Sequence, residues 1–581
     1  MITRRQLLER GAIGGAGLLL GRSIATAAAA STYLQPLDFP AVINAKAGGT
    51  IRLYQRPGTQ QLFPGSPSPV WGYGTAQAAT GKDMLGPTIE AKSGTPVAVN
   101  FTNGLSSTYP GWLPLDLNLV GGDPTVRTLT HLHGAFVPAA SDGNPAVNMD
   151  GFMRGQTQSV SYPNAQPATL LWYHDHPDGA TRLGVAAGLA GLYIIRDKYD
   201  TGGPDNINHL PSDGYEIPLL IQDRQFTGGQ ILYPTMGDPT MGSVGDCGNA
   251  LSPDPYKGGT GPWIGEYFGT DFLVNGRVRP FLTVEPRMYR FRVVNGCNGR
   301  FLNLKIPVPF KLIGTDGGML PAPVSLTQLI MNPADRVDLL LDFRGFAGKS
   351  VALLNQALPK PYSSPADVIT DIMEFRVSNV ASTGPTFADI GTNKGTQLTV
   401  LTDPNREFAA KDVSPGAIEI NLDEWNAGEA HWYLTLTNRQ TAAAAQGGYG
   451  LNTDPDHGLG GTAGGSCFDD PVTEKIGAGQ VKEWALFNNT GDTHPIHIHL
   501  VQFKIIGRQA LVGGQPSGAL KPPAQFEVGW KDTVAAHPGM VTRFQAKFSL
   551  PPGAAAPQTY MYHCHILEHE DNDMMRPYTV G

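Results

Sequence analysis

The chain has 581 residues, enough for several domains that each bury a core. Its formal net charge of −8 at pH 7 argues against nucleic acid as a partner, because surfaces that bind phosphates are basic. Only 4 cysteines are present, which excludes a fold built on disulfides.

The amino terminus has the pattern of an export signal. Arg4 and Arg5 precede an uncharged run rich in Gly, Ala and Leu at 11–21, and small residues at 25–30 offer cleavage sites. This pattern indicates a twin-arginine signal peptide over residues 1–30, which predicts export of the folded protein to the periplasm or the extracellular space. The apolar run is about half of the roughly 20 residues that span a bilayer, so we expect no stable membrane anchor.

Short strands separated by turns dominate the rest of the chain. The chain contains 72 Gly and 48 Pro, which favour turns between short strands. Few segments repeat apolar residues with the period of a helix. The segment 543–548 alternates apolar with polar side chains, which is typical of a strand with one buried and one solvent-exposed face. Three alternating segments that end in Asn predict three copies of one strand-to-turn unit, at 97–104, 289–296 and 484–489. These features predict an all-β chain of β-sandwich modules.

Histidines are concentrated in four short clusters. Four His-x-His pairs occur, namely His131/His133, His174/His176, His497/His499 and His563/His565. With His494 and His569, these clusters hold ten of the 14 histidines. A single pair would most often be two imidazoles on the polar face of a strand, but four pairs are far beyond chance. Because residues two apart on a strand share a face, each pair can present two imidazoles to a metal ion.

The last cluster also contains a cysteine. In 563–565 the side chain of Cys564 points away from the two flanking histidines, so this tripeptide can touch two metal centres. Cys564, His569 and Met574 provide a thiolate, an imidazole and a thioether, which suit a trigonal copper site with a weak axial Met. Zinc also binds Cys and His, but its structural sites use paired Cys or spaced His ligands. The segment therefore predicts an electron-accepting copper beside a second metal centre.

These four clusters resemble the four copper-binding segments of the multicopper oxidases, in the same order along the chain. Further matches resemble the branch of bacterial spore-coat laccases and bilirubin oxidases, at 141–143, 221–224, 272–276, 529–533 and 565–570. The resemblance covers nearly the whole mature chain. It implies three cupredoxin-like Greek-key β-sandwich domains.

The family pattern also implies a role for each metal ligand and four copper ions per chain. For the type 1 copper it implies His494, Cys564 and His569, with Met574 as the axial ligand. For the type 2 copper it implies His131 and His497. For the two type 3 coppers it implies His133, His174, His176, His499, His563 and His565. All these residues are present, which argues against a copper-free member.

The resemblance implies how such a protein works. A small reducing substrate gives electrons singly to the type 1 copper through His569, Cys564 passes them on through its flanking histidines, and four electrons reduce one O2 to water. Asp142 and Glu570 match carboxylates that supply protons in related laccases. Alternatively, Asp142 only caps its turn and Glu570 only hydrogen-bonds a ligand histidine. An axial Met, in place of Leu or Phe, implies a medium-to-low type 1 potential.

Three domains are expected after the signal peptide. We predict domain 1 over 31–199 with half of the trinuclear site, domain 2 over 213–378 without copper, and domain 3 over 395–581 with the other half and the type 1 copper. Asp175 stands in domain 1 where domain 3 has its cysteine, so we expect no type 1 copper there. Domain 2 is expected to pack against the others and to shape the substrate cleft.

The substrate and several details stay open from sequence. Phenols, aromatic amines or tetrapyrroles are the expected donors, as in laccases and bilirubin oxidases. The alternatives are an oxidase of cuprous or other metal ions, for which Met236 and Met241 offer the nearest Met-rich loop, and a non-catalytic exported scaffold. We expect a monomer. A disulfide among Cys247, Cys297 and Cys467 is undetermined, and the Gly-rich segment 441–470 is either a surface connector or a lid over the cleft.

Overall fold

The computed structural model describes most of the chain. The described residues are 33–117, 119–234, 266–362, 368–381, 383–391, 397–426, 432–440, 468 and 470–581. The predicted signal peptide, Met236, Met241, Cys247 and Cys467 lie outside them, as does nearly all of the segment 441–470. Within these ranges, no helix combines the length and the apolar character that a membrane span requires.

Two packed sheets form domain 1. Its strands are β1 (Val42–Asn44), β2 (Gly49–Phe63), β3 (Ser66–Gly74), β4 (Thr88–Lys92), β5 (Val97–Asn103), β6 (Thr130–His133), β7 (Thr157–Tyr162), β8 (Thr169–Asp175) and β9 (Ala190–Arg196). The sheet orders are β1-β4-β9-β8-β6 and β3-β2-β5-β7. Two short helices, Ala139–Asp142 and Thr181–Ala187, follow β6 and β8. Strand β8 is buried throughout because Leu171 and Tyr173 face the sandwich core while Leu170 and Trp172 pack towards domain 2.

Domain 2 is a larger sandwich. Its strands are β10 (Glu216–Arg224), β11 (Phe226–Thr227), β12 (Gln230–Ile231), β13 (Asp271–Val274), β14 (Arg277–Val278), β15 (Phe281–Val284), β16 (Met288–Asn295), β17 (Leu302–Lys305), β18 (Phe310–Thr315), β19 (Gly318–Ser325), β20 (Leu329–Met331), β21 (Arg336–Asp342), β22 (Ser350–Asn355) and β23 (Asp371–Val377). The two main sheets have the orders β14-β13-β10-β16-β21-β18-β19 and β15-β23-β22-β17-β20, and β11 pairs with β12. One apolar core lies between the main sheets.

Domain 3 repeats this architecture. Its strands are β24 (Ile418–Asn426), β25 (Trp432–Asn438), β26 (Lys475–Ile476), β27 (Val481–Asn488), β28 (His494–Ile498), β29 (Phe503–Val512), β30 (Gln515–Lys521), β31 (Thr533–Ala536), β32 (Met540–Lys547), β33 (Gln558–Cys564) and β34 (Met575–Val580). The sheet orders are β25-β24-β27-β32-β29-β30 and β26-β34-β33-β28-β31, and the helix Leu567–Glu570 follows β33. Short 3-10 helices span Asp213–Tyr215, Arg344–Phe346, Phe387–Asp389, Ala410–Asp412 and Gln525–Glu527. The predicted all-β fold of three β-sandwich domains is confirmed.

The three predicted strand-to-turn units occupy equivalent places in the three domains. Strand β5 pairs in parallel with β2 and antiparallel with β7. Likewise β16 lies between β10 and β21, and β27 lies between β24 and β32, with the same pairing directions. Each unit ends in a buried Asn whose side-chain oxygen accepts from the backbone N–H two residues later, at Asn103, Asn295 and Asn488. The Asn is therefore the residue that turns the chain out of the sheet.

Domains 1 and 3 meet along the strands that carry the histidines. The Tyr560 hydroxyl donates to the carbonyl oxygen of Val137 at 2.9 Å, and Arg182 forms a buried ion pair with Asp571 at 2.9 Å. The amide of Asn144 donates to the carbonyl oxygen of Thr559 at 3.1 Å. These contacts bring β6 and β8 next to β28 and β33.

Candidate metal centre

Cross-strand pairing brings the His-x-His pairs together in twos. In domain 1, His131 lies opposite His174 on the neighbouring strands β6 and β8. In domain 3, His497 lies opposite His563 on β28 and β33. Because alternate side chains share a face, the second histidine of each pair lies on the same face as the first. Each domain therefore presents four imidazoles at the interface.

The eight imidazoles form three groups in which the possible ligand nitrogens all lie within 4.8 Å of one another. The groups are His131/His133/His497, His133/His174/His565 and His176/His499/His563. Each group combines histidines of both domains. The six residues predicted as type 3 ligands thus divide into two triplets, and the predicted type 2 ligands His131 and His497 share a group with His133.

The free ring nitrogens of this cluster fit a metal ion. His131, His174, His176 and His497 each contact a protein oxygen through Nδ1, and each has a buried Nε2 without a hydrogen-bond partner. A buried polar atom without a partner costs about 1–3 kcal/mol, and a bound metal removes that cost. Burial lowers the pKa of His131, His133, His174, His176, His497, His499 and His565. These imidazoles are therefore neutral near pH 7, as metal binding requires.

A second, smaller site lies inside domain 3. The Sγ of Cys564 is 3.5 Å from Nδ1 of His494 and 3.7 Å from Nδ1 of His569, and the two nitrogens are 3.2 Å apart. Such a triangle fits one ion with bonds of roughly 2.0–2.3 Å. The ring nitrogen of His494 that points away from this triangle also has a partner, since its Nε2 lies 2.7 Å from the hydroxyl of Thr490. A soft thiolate with two imidazoles is the donor set that copper prefers in electron-transfer sites.

Met574 lies beside this smaller site. Its carbonyl oxygen accepts from the backbone N–H of Cys564 at 2.9 Å, and its own N–H donates to the carbonyl oxygen of His569 at 3.0 Å. The Met574 side chain is fully buried and belongs to the same apolar cluster as Cys564. The backbone thus ties the predicted axial ligand to two of the three predicted equatorial ligands.

Both predicted carboxylates contact histidines of the large cluster. Oδ2 of Asp142 lies 2.7 Å from Nδ1 of His499, and Oδ1 lies 3.5 Å from Nδ1 of His131. Glu570 lies 3.0 Å from Nδ1 of His563 and 3.4 Å from that of His176. Each carboxylate therefore bridges the two domains. Burial raises the pKa of Asp142 to about 6.

Comparison with known proteins agrees with this geometry. Two family models described as multicopper oxidase match the chain, over residues 123–200 and 440–581. The laccase of Bacillus subtilis (strain 168) is 35% identical over 535 residues, which cover 88% of this chain and 90% of that laccase. The chain belongs to the multicopper oxidase family.

Other multicopper oxidases are similar over an equally large part of the chain. A laccase of Haloferax volcanii is 33% identical over 620 residues, which cover 100% of this chain and 91% of that protein. The crystal structure of McoA, a multicopper oxidase of Aquifex aeolicus, superposes with a TM-score of 0.68 at 26% identity, and covers 94% of this chain and 99% of that one. Multicopper oxidases use copper to couple oxidation of a reducing substrate to reduction of O2.

The first domain of this multicopper oxidase has a carboxylate in place of the thiolate. Asp175 occupies the position that corresponds to Cys564, and its Oδ1 accepts from the backbone N–H of Leu129 at 2.9 Å. Among the described residues, no group of possible metal ligands includes Asp175. That domain 1 holds no type 1 copper stays a prediction.

Two residues that sequence reasoning missed also contact the predicted ligands of this multicopper oxidase. Oε1 of Glu266 lies 3.0 Å from Nε2 of His569, and Oδ1 of Asp532 lies 3.2 Å from Nε2 of His133. Nothing near Glu266 in the sequence marks it, since its partner is 303 positions away. Asp532 lies in one of the segments that resemble the family, which could have identified it, although no role was assigned.

Cys297 is buried in domain 2 as a free thiol. The other two cysteines that could form a disulfide lie outside the described residues, so the pairing of Cys247 with Cys467 stays undetermined.

Proposed function

We propose that this multicopper oxidase is of the laccase type and holds four copper ions. The convergence of eight imidazoles at the interface of domains 1 and 3, beside a separate Cys564 triangle, carries this proposal. The type 1 ligands would be His494, Cys564, His569 and Met574, and the type 2 ligands His131 and His497. The type 3 ligands would be His133, His174 and His565 for one ion and His176, His499 and His563 for the other. Phenols, aromatic amines or tetrapyrroles would be the electron donors.

Copper would supply one-electron oxidation at the small site and reduction of O2 to water at the large one. The chain connects the two sites by covalent bonds, because Cys564 is flanked by His563 and His565. Burial of the cluster keeps bulk water away from it. Asp142 and Glu570 hold the outer nitrogens of cluster histidines and are the carboxylates positioned to move protons there.

A panel of donors tests this proposal on the copper-loaded protein. Bilirubin, a methoxyphenol, an aminophenol and Cu(I) are each supplied while oxygen consumption is followed. We expect uptake with the aromatic donors, a blue thiolate-to-copper absorption and four coppers per chain. A colourless protein that binds far fewer coppers would contradict the whole assignment, and absence of oxygen uptake with every donor would favour a scaffold.

One observation favours metal-ion oxidation as a second candidate function. The carboxylate of Glu266 lies 3.0 Å from the outer nitrogen of His569, and its side chain is 12% exposed. A negative charge at the outer edge of the predicted type 1 site attracts cationic donors, such as reduced metal ions. It attracts protonated aromatic amines in the same way.

Replacement of Glu266 by Gln separates neutral from cationic donors. We expect the KM for Cu(I) to rise about 10-fold, equivalent to roughly 1.4 kcal/mol, because the carboxylate charge is lost. The KM for a neutral methoxyphenol should change little. Steady-state oxygen consumption with both donors measures the difference, and Glu285→Gln, at a half-exposed site of domain 2, is the control. Equal effects of Glu266→Gln on both donors would rule out charge selection.

We also infer export by the twin-arginine route. The support is the pattern of residues 1–30, in which Arg4 and Arg5 precede a short apolar run. Replacing both arginines by Lys is expected to retain the protein in the cytoplasm. Fractionation of cells that produce the full chain measures this, and unchanged export of the double variant would contradict the inference.

A further inference from the structure

Five buried charged residues join domain 2 to the segment 529–533 of domain 3. They are Asp316, Asp335 and Arg336 of domain 2 and Lys531 and Asp532 of domain 3. Nη1 of Arg336 donates to Oδ1 of Asp532 at 2.6 Å and Nη2 donates to Oδ2 at 2.5 Å, which makes a bidentate pair. Domain 2, expected only to pack and to shape the cleft, therefore extends a guanidinium towards the histidine cluster.

Asp532 continues this contact to the cluster itself. Its Oδ1 lies 3.2 Å from Nε2 of His133, and its carbonyl oxygen accepts from Nδ1 of His497 at 2.8 Å. His133 of domain 1 is a predicted type 3 ligand and His497 of domain 3 is a predicted type 2 ligand. Asp532 therefore contacts one ligand of each kind, the first through its carboxylate and the second through its backbone carbonyl. A carboxylate that accepts from a ligand imidazole fixes its orientation and raises its basicity.

The ring of His133 is turned relative to its neighbours. Five other histidines of the cluster have an Nε2 without a hydrogen-bond partner, whereas His133 has such an Nδ1 and turns its Nε2 to Asp532. The carboxylate of Asp532 therefore decides which nitrogen His133 offers to a metal ion.

Gly134 leaves the space that the ion pair occupies. It follows His133 with a φ of +83°, and a Cβ at this position would lie 2.3 Å from Nη2 of Arg336 and 2.7 Å from Oδ2 of Asp532. Any side chain here would collide with the pair. The absence of a side chain at Gly134 thus leaves room for Arg336 and Asp532 directly after the first His-x-His pair.

Contacts other than those of Arg336 also hold the segment 529–533 to domain 2. Nζ of Lys531 lies 2.8 Å from Asp316 and 2.9 Å from Asp335, and Asp316 also accepts from the backbone N–H of Asp532 at 3.2 Å. These contacts already hold domain 3 to domain 2. Because buried ion pairs contribute little net stability, a second pair aimed at two imidazoles points to a role at the cluster.

We propose that Arg336 is a positioning residue of the type 2 copper site and acts through Asp532. The guanidinium keeps the carboxylate in place and compensates its charge where water is excluded. The carboxylate orients His133, and its Oδ1 also lies 3.7 Å from Nδ1 of His497, which donates to the backbone carbonyl of Asp532. This role rests on the proposed copper ligands. It makes domain 2 a part of the oxygen-reducing centre without contributing a ligand.

The test compares copper retention in full-length, copper-loaded variants. Arg336→Gln removes the charge and one half of the bidentate pair. We expect type 2 copper to be lost to a chelator at a concentration about 10–100-fold lower than for the unchanged protein, with an altered type 2 signal in electron paramagnetic resonance. The blue type 1 absorption should be unchanged. Arg336→Lys keeps the positive charge but cannot form the bidentate pair. The chelator concentration that removes its type 2 copper should lie between those for the unchanged protein and for Arg336→Gln.

Arg508→Gln is the matched control. Arg508 forms a bidentate pair with Glu527 in domain 3, at 2.6 and 2.8 Å, and this pair is also buried and lies away from the histidine cluster. Arg508→Gln should lower the free energy of unfolding, but it should not cause a selective loss of type 2 copper. Asp532→Asn, of nearly unchanged size, provides a second arm if Arg336→Gln fails to fold, and it should show the same selective loss.

The outcomes separate the two proposals. If the unchanged protein lacks the blue absorption and the four coppers, the proposed function fails. If that protein is normal and Arg336→Gln retains type 2 copper with an unchanged resonance signal, the positioning role is overturned. Parallel loss of type 1 and type 2 copper in both Arg336→Gln and Arg508→Gln would likewise overturn it, because the pair would then serve only stability.

Discussion

Replacement of Cys564 by Ser is expected to abolish the blue absorption and to lower the oxidation of every donor by at least about 1,000-fold. The hydroxyl of Ser does not ionise near neutral pH and is a hard donor, so the trigonal site loses its soft ligand. The same substitution breaks the covalent route from the small site to His563 and His565. The absorption spectrum, copper content and oxygen consumption of the purified variant measure these effects.

Cys297→Ser is the control for this substitution. Cys297 is also a buried free thiol, but it lies in domain 2 and its Sγ is 3.9 Å from the carbonyl oxygen of Ile221. The control should keep the colour and activity and lose at most about 1 kcal/mol of unfolding free energy. A blue, active Cys564→Ser protein would contradict the predicted type 1 site.

Replacement of Asp142 by Asn is expected to slow turnover by about 100-fold or more, the usual effect of losing a positioned proton donor. Asn has nearly the same size and can still contact His499, so the fold and the copper content should be kept. Electrons should still reach the type 1 site, because Cys564 and His569 are untouched. Anaerobic reduction of the blue absorption should therefore stay fast, while its reoxidation by O2 should become slow in stopped-flow measurements.

Asp423→Asn is the control, since Asp423 is a half-buried aspartate whose pKa burial likewise raises to about 6. It contacts Asn489 at 2.8 Å and lies outside every metal-ligand group in the described part of the chain. Normal turnover of Asp142→Asn with normal copper content would leave Asp142 with the structural role of a turn residue and of a hydrogen-bond partner of His499.

Much of the fold and of the candidate site was predictable because its signals are local. Asn103, Asn295 and Asn488 each end a strand through a bond to a backbone N–H only two residues away. Alternation at 543–548 predicted the buried face on which Phe544 lies. Four His-x-His pairs and a cysteine five residues before His569 were visible as spacing alone.

Other parts of the site could not be read in this way. The six predicted type 3 ligands form a single set in the sequence, since nothing in the spacing says which of these histidines lie in the same triplet. Glu266 and Arg336 are isolated residues in domain 2, where no metal-ligand pattern occurs, and each contacts the site through one side chain.

The sequence by itself determined the donor types, their spacing on strands and the β-sandwich repeats, because strand alternation and turn chemistry act over a few residues. Only the tertiary structure decided how the donors divide among sites and which charges surround them. His133 and Asp532 are 399 positions apart and meet because domains 1, 2 and 3 pack together. Distances of this kind are set by packing between sheets, which leaves no local pattern in the chain.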